Sequence, residues 1–142
     1  MVELESVKRG FLQSLHITWE FSKVIVPAYI AMTFLKHTSV FSLIASWAEP
    51  CMELLGLPGE AAMPITLGML FNQYLAIGAL SAMNLTIKEI TLAAVILCIC
   101  HELLIESAVA KKVGVRILPF VLTRFAFAFM GAYILNILWT VV

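Results

Sequence analysis

Charge is what this sequence has least of. Only 13% of its 142 residues are charged, while 62% are hydrophobic and the mean hydropathy is +1.01. A soluble domain carries about 25% charged residues, so an ordinary water-soluble globule is excluded. The formal net charge is zero, which removes the basic surface a nucleic-acid partner needs and any electrostatic capture of an acidic one. Cysteine is scarce and odd in number: Cys51, Cys98 and Cys100 all stand in apolar context, and no disulfide framework is expected. The first twenty residues contain Glu3, Glu5, Lys8 and Arg9 and lack the apolar core and small-residue site of a cleavable leader. Insertion is therefore expected to rest on internal apolar segments. There is no Ser-His-Asp set, Gly-rich phosphate loop, low-complexity tract or evident internal repeat. Neither an enzyme nor a cofactor is expected.

What is present is apolar sequence with polar residues in awkward places. Residues 61–85 run uncharged for about 25 positions, enough helix to cross a hydrocarbon core of roughly 30 Å. Yet the run opens on Pro58-Gly59-Glu60 and carries Asn72-Gln73 in its middle. A breaker, a carboxylate and two amides are expensive in lipid and belong where protein or a water-filled cavity surrounds them. One compact, all-α, polytopic membrane unit with a polar interior is predicted, and it points to solute passage more than to anchoring.

Along the chain, Leu4, Val7, Phe11, Leu12, Leu15 and Trp19 follow helical spacing, so residues 1–19 are predicted to form an amphipathic helix at the interface. That helix is expected to continue into the bilayer and end near Lys36-His37. Thr38 or Ser39 can cap a second helix, which carries Glu49, Pro50 and Glu53 and is a poor lipid-facing span. Gly56-Leu57-Pro58-Gly59-Glu60 then breaks it. A re-entrant helical hairpin is predicted over about residues 38–71 with its tip at 56–60, inside a single transmembrane domain of residues 20–142. Thr86 and Glu89 have capping-box spacing ahead of an apolar run. A last apolar segment, residues 115–142, is broken only by Arg116, Pro119 and Arg124.

The loop charges test the threading. With that hairpin, Lys8, Arg9, Lys23 and Lys88 share one side of the membrane and Lys36, Lys111, Lys112 and Arg116 the other. Four against four gives almost no positive-inside bias, which permits an antiparallel homodimer, the two-chain equivalent of inverted repeats. If residues 38–56 cross fully, the split becomes six against two, with Lys36 and Lys88 outside.

Three groups of polar residues are candidates for chemistry. Glu60, at the expected tip, can accept hydrogen bonds from a polar solute, or it can cap its own helix amides. Asn72 and Gln73 offer donors and acceptors able to read a nucleobase or sugar edge; the alternative is interhelical bonding. His101, Glu102 and Glu106 can relay protons or ions, with Cys98, Glu102 and Glu106 at successive i, i+4 positions. The bland alternative is a solvated helix end. No metal is expected to reside there, and the segment lacks the second His of a zinc-protease motif. Arg124 is expected to snorkel to the interface or, failing that, to pair with Glu102 or Glu106.

Val26-Pro27-Ala28-Tyr29, the Leu-Pro-Gly-Glu element at residues 57–60, Asn72-Gln73-Tyr74, and His101 through Glu106 followed by Lys111-Lys112-Val113-Gly114 resemble the nucleoside-recognition, or Gate, domain family. The resemblance covers residue 20 to the end. Such domains occur in ferrous-iron permeases, spore maturation membrane proteins and concentrative nucleoside transporters. It implies that Gly59 and Glu60 occupy a substrate-facing tip, although Pro-Gly before Glu60 replaces the polar neighbours found in the transporters. It also implies that one unit is half of an inverted-repeat assembly, completed by a second copy or a different Gate subunit. The expected function is a transport component for a small polar solute, nucleoside-like, in the bacterial or archaeal cytoplasmic membrane. A non-transporting envelope scaffold and a divalent-metal permease module using Cys98, Glu102 and Glu106 are the alternatives.

Overall fold

The computed structural model describes residues 2–141, with side chains from residue 5 to residue 139. All regular structure among them is helical. Helix α1 (Val2–Leu35) is continuous through Trp19 and Glu20 and accommodates Pro27. Its hydroxyls are internally satisfied: Ser14, Thr18, Ser22 and Thr33 each donate to the carbonyl four residues back, which lowers the cost of placing them in lipid. Val7, Phe11, Leu12, Leu15 and Trp19 are all exposed, so the expected apolar face packs on nothing in the described chain. Leu4 lies outside the residues whose side chains are described.

Helix α2 (Ser39–Leu54) leaves α1 at an angle of 91°. Thr38 holds the N-cap position with extended backbone, but its hydroxyl bonds back to the Leu35 carbonyl at 2.7 Å instead of capping. At the other end the glycine signal is met in full. Gly56 has φ +75°, its N–H bonds the Glu53 carbonyl, and the Leu57 N–H bonds the Met52 carbonyl. That is the Schellman pattern, with Leu57 and Met52 both buried beneath it. A 3-10 turn, Gly59–Ala61, follows and folds back on α2. There the Gly59 N–H donates to Glu49 Oε2 at 2.9 Å.

Residues 61–85, long enough to make one crossing helix, do not make one. Helix α3 (Ala62–Leu70) stops, and helix α4 (Gln73–Ser81) starts anew two residues later. The cause is Asn72: its backbone is extended (φ −156°, ψ 154°) and its side-chain oxygen accepts the Leu75 N–H at 3.0 Å, an N-cap written into the middle of an apolar run. The two short helices fold against each other through Gly68, where an added Cβ would lie 2.6 Å from the Ala76 methyl and 2.5 Å from Leu97.

Helix α4 lies along α1 in the same direction. Phe21 stacks on Tyr74 at 4.3 Å, Gly78 meets Ile25 and Ala28, and Lys36 Nζ donates to the Ala82 carbonyl at 3.0 Å. Helix α5 (Ile87–Ile99) begins with the predicted capping box: the Thr86 hydroxyl accepts the Glu89 N–H, and the Glu89 carboxylate accepts the Thr86 N–H at 2.6 Å. The chain unwinds at residues 100–102 and resumes as α6 (Leu103–Lys112). Gly114, at φ +86°, closes α6, and α7 (Ile117–Val141) returns antiparallel, with Gly131 against Val95 and Ile99 and Arg124 against Ile99. The core is built where α2, α3, α5 and α7 meet, around Ala61, Ile65, Leu92, Ile96 and Ala132.

Two segments are long and apolar enough to cross a membrane, Ile87–Lys112 and Ile117–Trp139; the bent α1–α2 pair makes a third if taken together. The bend is compatible with re-entry. The loop charges group at the two ends of the candidate span Ile87–Lys112. Lys36 reaches Ala82, a few residues before Lys88, so both stand at the start of α5. Lys111, Lys112 and Arg116 stand at the far end of the same candidate span. Helix α1, running down alongside α4, carries Lys8 and Arg9 toward that far end. The fold-back at Asn72 returns the chain to the end where Lys36 stands.

Candidate functional site

The two backbone interruptions, at 71–72 and at 100–102, lie against each other. Ending α3 at Leu70 frees the Gly68 carbonyl, and unwinding the chain after Ile99 frees the Glu102 N–H. These two groups bond at 3.2 Å. Glu102 itself is the one non-glycine residue with positive φ among those described, at 49°. That left-handed step costs roughly 1–2 kcal/mol and redirects the chain into α6. Two more freed carbonyls are taken by side chains: His101 Nδ1 lies 3.0 Å from the Leu97 oxygen, and Arg124 Nε donates to the Ile99 oxygen at 2.8 Å. Every group opened by the break that is named here has found a partner, as low-dielectric surroundings require.

Beyond the break, charges converge. Arg124 Nη1 forms an ion pair with Glu106 Oε2, and His101 Nε2 stands 3.7 Å from Glu106 Oε1. The three side chains are between 17% and 32% exposed, so the pair is largely desolvated. Phe120 backs the guanidinium, its ring centre 5.6 Å away. The preferred expectation for Arg124, snorkelling outward, is thus corrected: the break offers it a carbonyl and a carboxylate inside the bundle. The expected stripe of Cys98, Glu102 and Glu106 is corrected too. Cys98 is exposed on α5, while the positive φ at Glu102 takes Glu106 off that line. Among the described residues no three or more His, Cys, Asp or Glu side chains come together as a metal site would need.

The remaining candidates are spread along the hairpin. Asn72, half-buried, spends its oxygen on the local cap and leaves its NH₂ without a partner among the described residues; Gln73 beside it makes no side-chain bond there. Gly59 is buried under the Glu49 carboxylate and the Ala45 carbonyl. Glu60 is exposed and has no hydrogen bond within the described chain. The alternative role, capping the helix-start amide, falls to Glu49, which accepts the Gly59 N–H. Sequence reasoning missed Glu49 in that role and the Gly68 carbonyl altogether; Arg124 was readable in the sequence as a charge in an apolar run, with Glu106 one of its two fallback partners.

The family model described as "Gate: Nucleoside recognition" matches residues 18–137, an interval that contains the hairpin, both interruptions and Arg124. The chain belongs to the Gate family. This Gate chain is similar to "Uncharacterized membrane protein YvoD" of Bacillus subtilis (strain 168), with 39% identity over 130 residues. The match covers 92% of the present chain and 42% of that relative, so this Gate chain spans less than half of the relative's length. No solved structure matches. Membership in this family and its apolar helices make this Gate chain a membrane protein.

Proposed function

We propose that this Gate chain is one half of a transport pathway for a small polar solute in the cytoplasmic membrane, with the solute passing where the two interrupted helices meet. The observation that carries the reading is the Glu102 N–H to Gly68 carbonyl bond. It ties the α3–α4 turn to the middle of the candidate span Ile87–Lys112. Nine-residue helices at about 1.5 Å per residue reach about 14 Å, roughly half of a 30 Å hydrocarbon core. The re-entrant element is thus α3–α4, with Asn72 and Gln73 at its tip and Gly59 and Glu60 at its entrance. Discontinuous helices meeting near mid-membrane are how transporters expose backbone and amide groups to a solute. The free NH₂ of Asn72 and the Gln73 amide supply the hydrogen bonds, and Glu60 guides the solute at the mouth.

Taken with α3–α4 as the re-entrant element, the loop charges split unequally, which favours one orientation with the Lys111–Arg116 end in the cytoplasm. The inverted half is therefore a different Gate subunit, not a flipped copy of the same chain. The Bacillus relative, of which this chain spans 42%, has room for two such units in one polypeptide.

Co-reconstitution with a second Gate chain in proteoliposomes, assayed with uridine first and then a nucleoside panel, tests the reading. Asn72→Ala is expected to lower uptake at least about tenfold while losing only the cap, about 1 kcal/mol of stability. Glu60→Gln is expected to have the smaller effect. Wild-type uptake by Asn72→Ala would remove the tip from the pathway.

A further inference from the structure

We propose that the groove between α6 and α7 seats one anionic phospholipid, with an acyl chain in the groove and the phosphate against Lys111, Lys112 and Arg116. The site stands apart from the Asn72 tip and does not depend on the transport reading. The groove has a volume of about 540 Å³ and is walled by Ile105, Val109, Ala110, Val113, Val115 and Phe120. Glu106 and Arg124 line it too, but they form an ion pair with each other and call for no further charge. From Glu106 to Val113 is seven residues of α6, about 10 Å at 1.5 Å per residue, so the groove runs inward from the α6–α7 turn.

That turn is ordered and uncovered. Gly114 is at φ +86°; its N–H donates to the Lys111 carbonyl at 3.1 Å, and the Val115 N–H donates to the Ala110 carbonyl at 2.9 Å. These two bonds close α6 in the Schellman manner and hold the basic residues on a fixed stretch of backbone. Residues 111–119 are all exposed, and a Cβ added at Gly114 would meet nothing within 4 Å. Val113 and Val115 belong to the groove, while Lys111, Lys112 and Arg116 alternate with them along the same turn. The groove therefore reaches the charges.

The formal net charge of zero is an average over the chain and hides an imbalance here. From Ser107 to Val142 there is no carboxylate side chain. Lys111, Lys112 and Arg116 make no side-chain hydrogen bond or ion pair among the described residues. Helix α1 brings Lys8 and Arg9 toward the same end, and its Glu5 is already paired with Arg9 at 3.5 Å. The helix dipole answers Lys111 and Lys112 in part, since they close α6. It does not answer Arg116, which precedes α7, a helix with no acidic residue in its first turn. A free phosphate would use these charges and leave the groove empty. A neutral lipid would fill the groove and leave the charges unmatched. An anionic lipid uses both, as basic clusters beside membrane helices do.

The experiment is native mass spectrometry of the full chain in detergent micelles, offered phosphatidylglycerol and phosphatidylcholine of the same acyl chains in equal amounts. The chain is expected to retain one phosphatidylglycerol with at least about tenfold preference, the order that a few basic side chains confer. Lys111→Gln, Lys112→Gln and Arg116→Gln together are expected to abolish the preference, whereas Lys88→Gln, at the start of α5, leaves it intact. Val109→Trp fills the groove without touching a charge and is expected to lower phosphatidylglycerol retention. Thermal unfolding of these variants is expected to match the unaltered chain, which separates lost retention from lost fold. Should the triple variant fail to fold, Arg116→Gln alone is expected to reduce the preference. Equal retention of the two lipids by the unaltered chain, a preference that survives the triple variant, or full retention by Val109→Trp would overturn the proposal. So would competition by glycerol 3-phosphate as strong as that of the lipid, because it carries the phosphate without the chains.

Discussion

Arg124 holds two separate groups at the unwound segment. It satisfies the Ile99 carbonyl and neutralises Glu106, two groups that the unwound segment leaves exposed to an apolar interior. Removing one partner of a largely buried pair leaves an uncompensated charge, at a cost of about 3–5 kcal/mol. Arg124→Met is accordingly expected to destabilise the chain by that order. Replacing Glu106 by Met as well should recover much of the loss, leaving chiefly the orphaned carbonyl. Thermal unfolding of the two single variants and the double variant checks this; additive losses would show that the pair is not coupled. The sequence revealed Arg124 as a charge out of place and offered Glu102 or Glu106 as its partner only behind an outward turn, because which way such a residue points depends on the break at residues 100–102. Caps behaved differently. Thr86–Glu89 and Gly56 were legible because their bonds close within a few residues.

At the scale of elements, the same contrast holds. The all-helical architecture and the placement of most helix ends followed from apolar periodicity, glycine and capping residues. The interruption at Asn72 did not, although the residue was singled out. An amide in an apolar run reads equally as a ligand contact, an interhelical bond or a cap, and only the tertiary position of Gly68 decides between them. Helix α3 can turn back at that point because Gly68 lets Ala76 and Leu97 come close, at 2.6 and 2.5 Å from where its Cβ would be. Gly68→Ala is therefore expected to push α4 away from α3 and strain the Glu102 bond, costing about 1–3 kcal/mol. Hydrogen exchange should then rise at residues 71–75 and at Glu102 together. Faster exchange at one interruption without the other would mean that they do not support each other. Gly131, whose added Cβ would find its neighbours at 3.6 Å, has room for alanine and serves as the control.

For the whole molecule, the disposition of positive charge decides between the balanced and the six-against-two threading. The balanced count depended on where the chain turned back, and a turn moved from one loop to another reassigns every later segment. Single cysteines placed at positions 37, 88 and 113 in a background without Cys51, Cys98 and Cys100 test the outcome in intact cells. Positions 37 and 88 are expected to react with an impermeant reagent from the same face, and position 113 from the opposite one. Reaction of each position from both faces would restore a population of mixed orientation.

On the proposed re-entrant placement, the bond between the Gly68 carbonyl and the Glu102 amide also orders events during biosynthesis. Residues 61–85 leave the ribosome before their acceptor exists, and by length alone an insertion machine can read them as a stop. Threaded that way, every later segment would face the wrong compartment. The short helices gain their correct depth only when the unwound segment is made and docks, so the second half of the polypeptide proofreads the placement of the first.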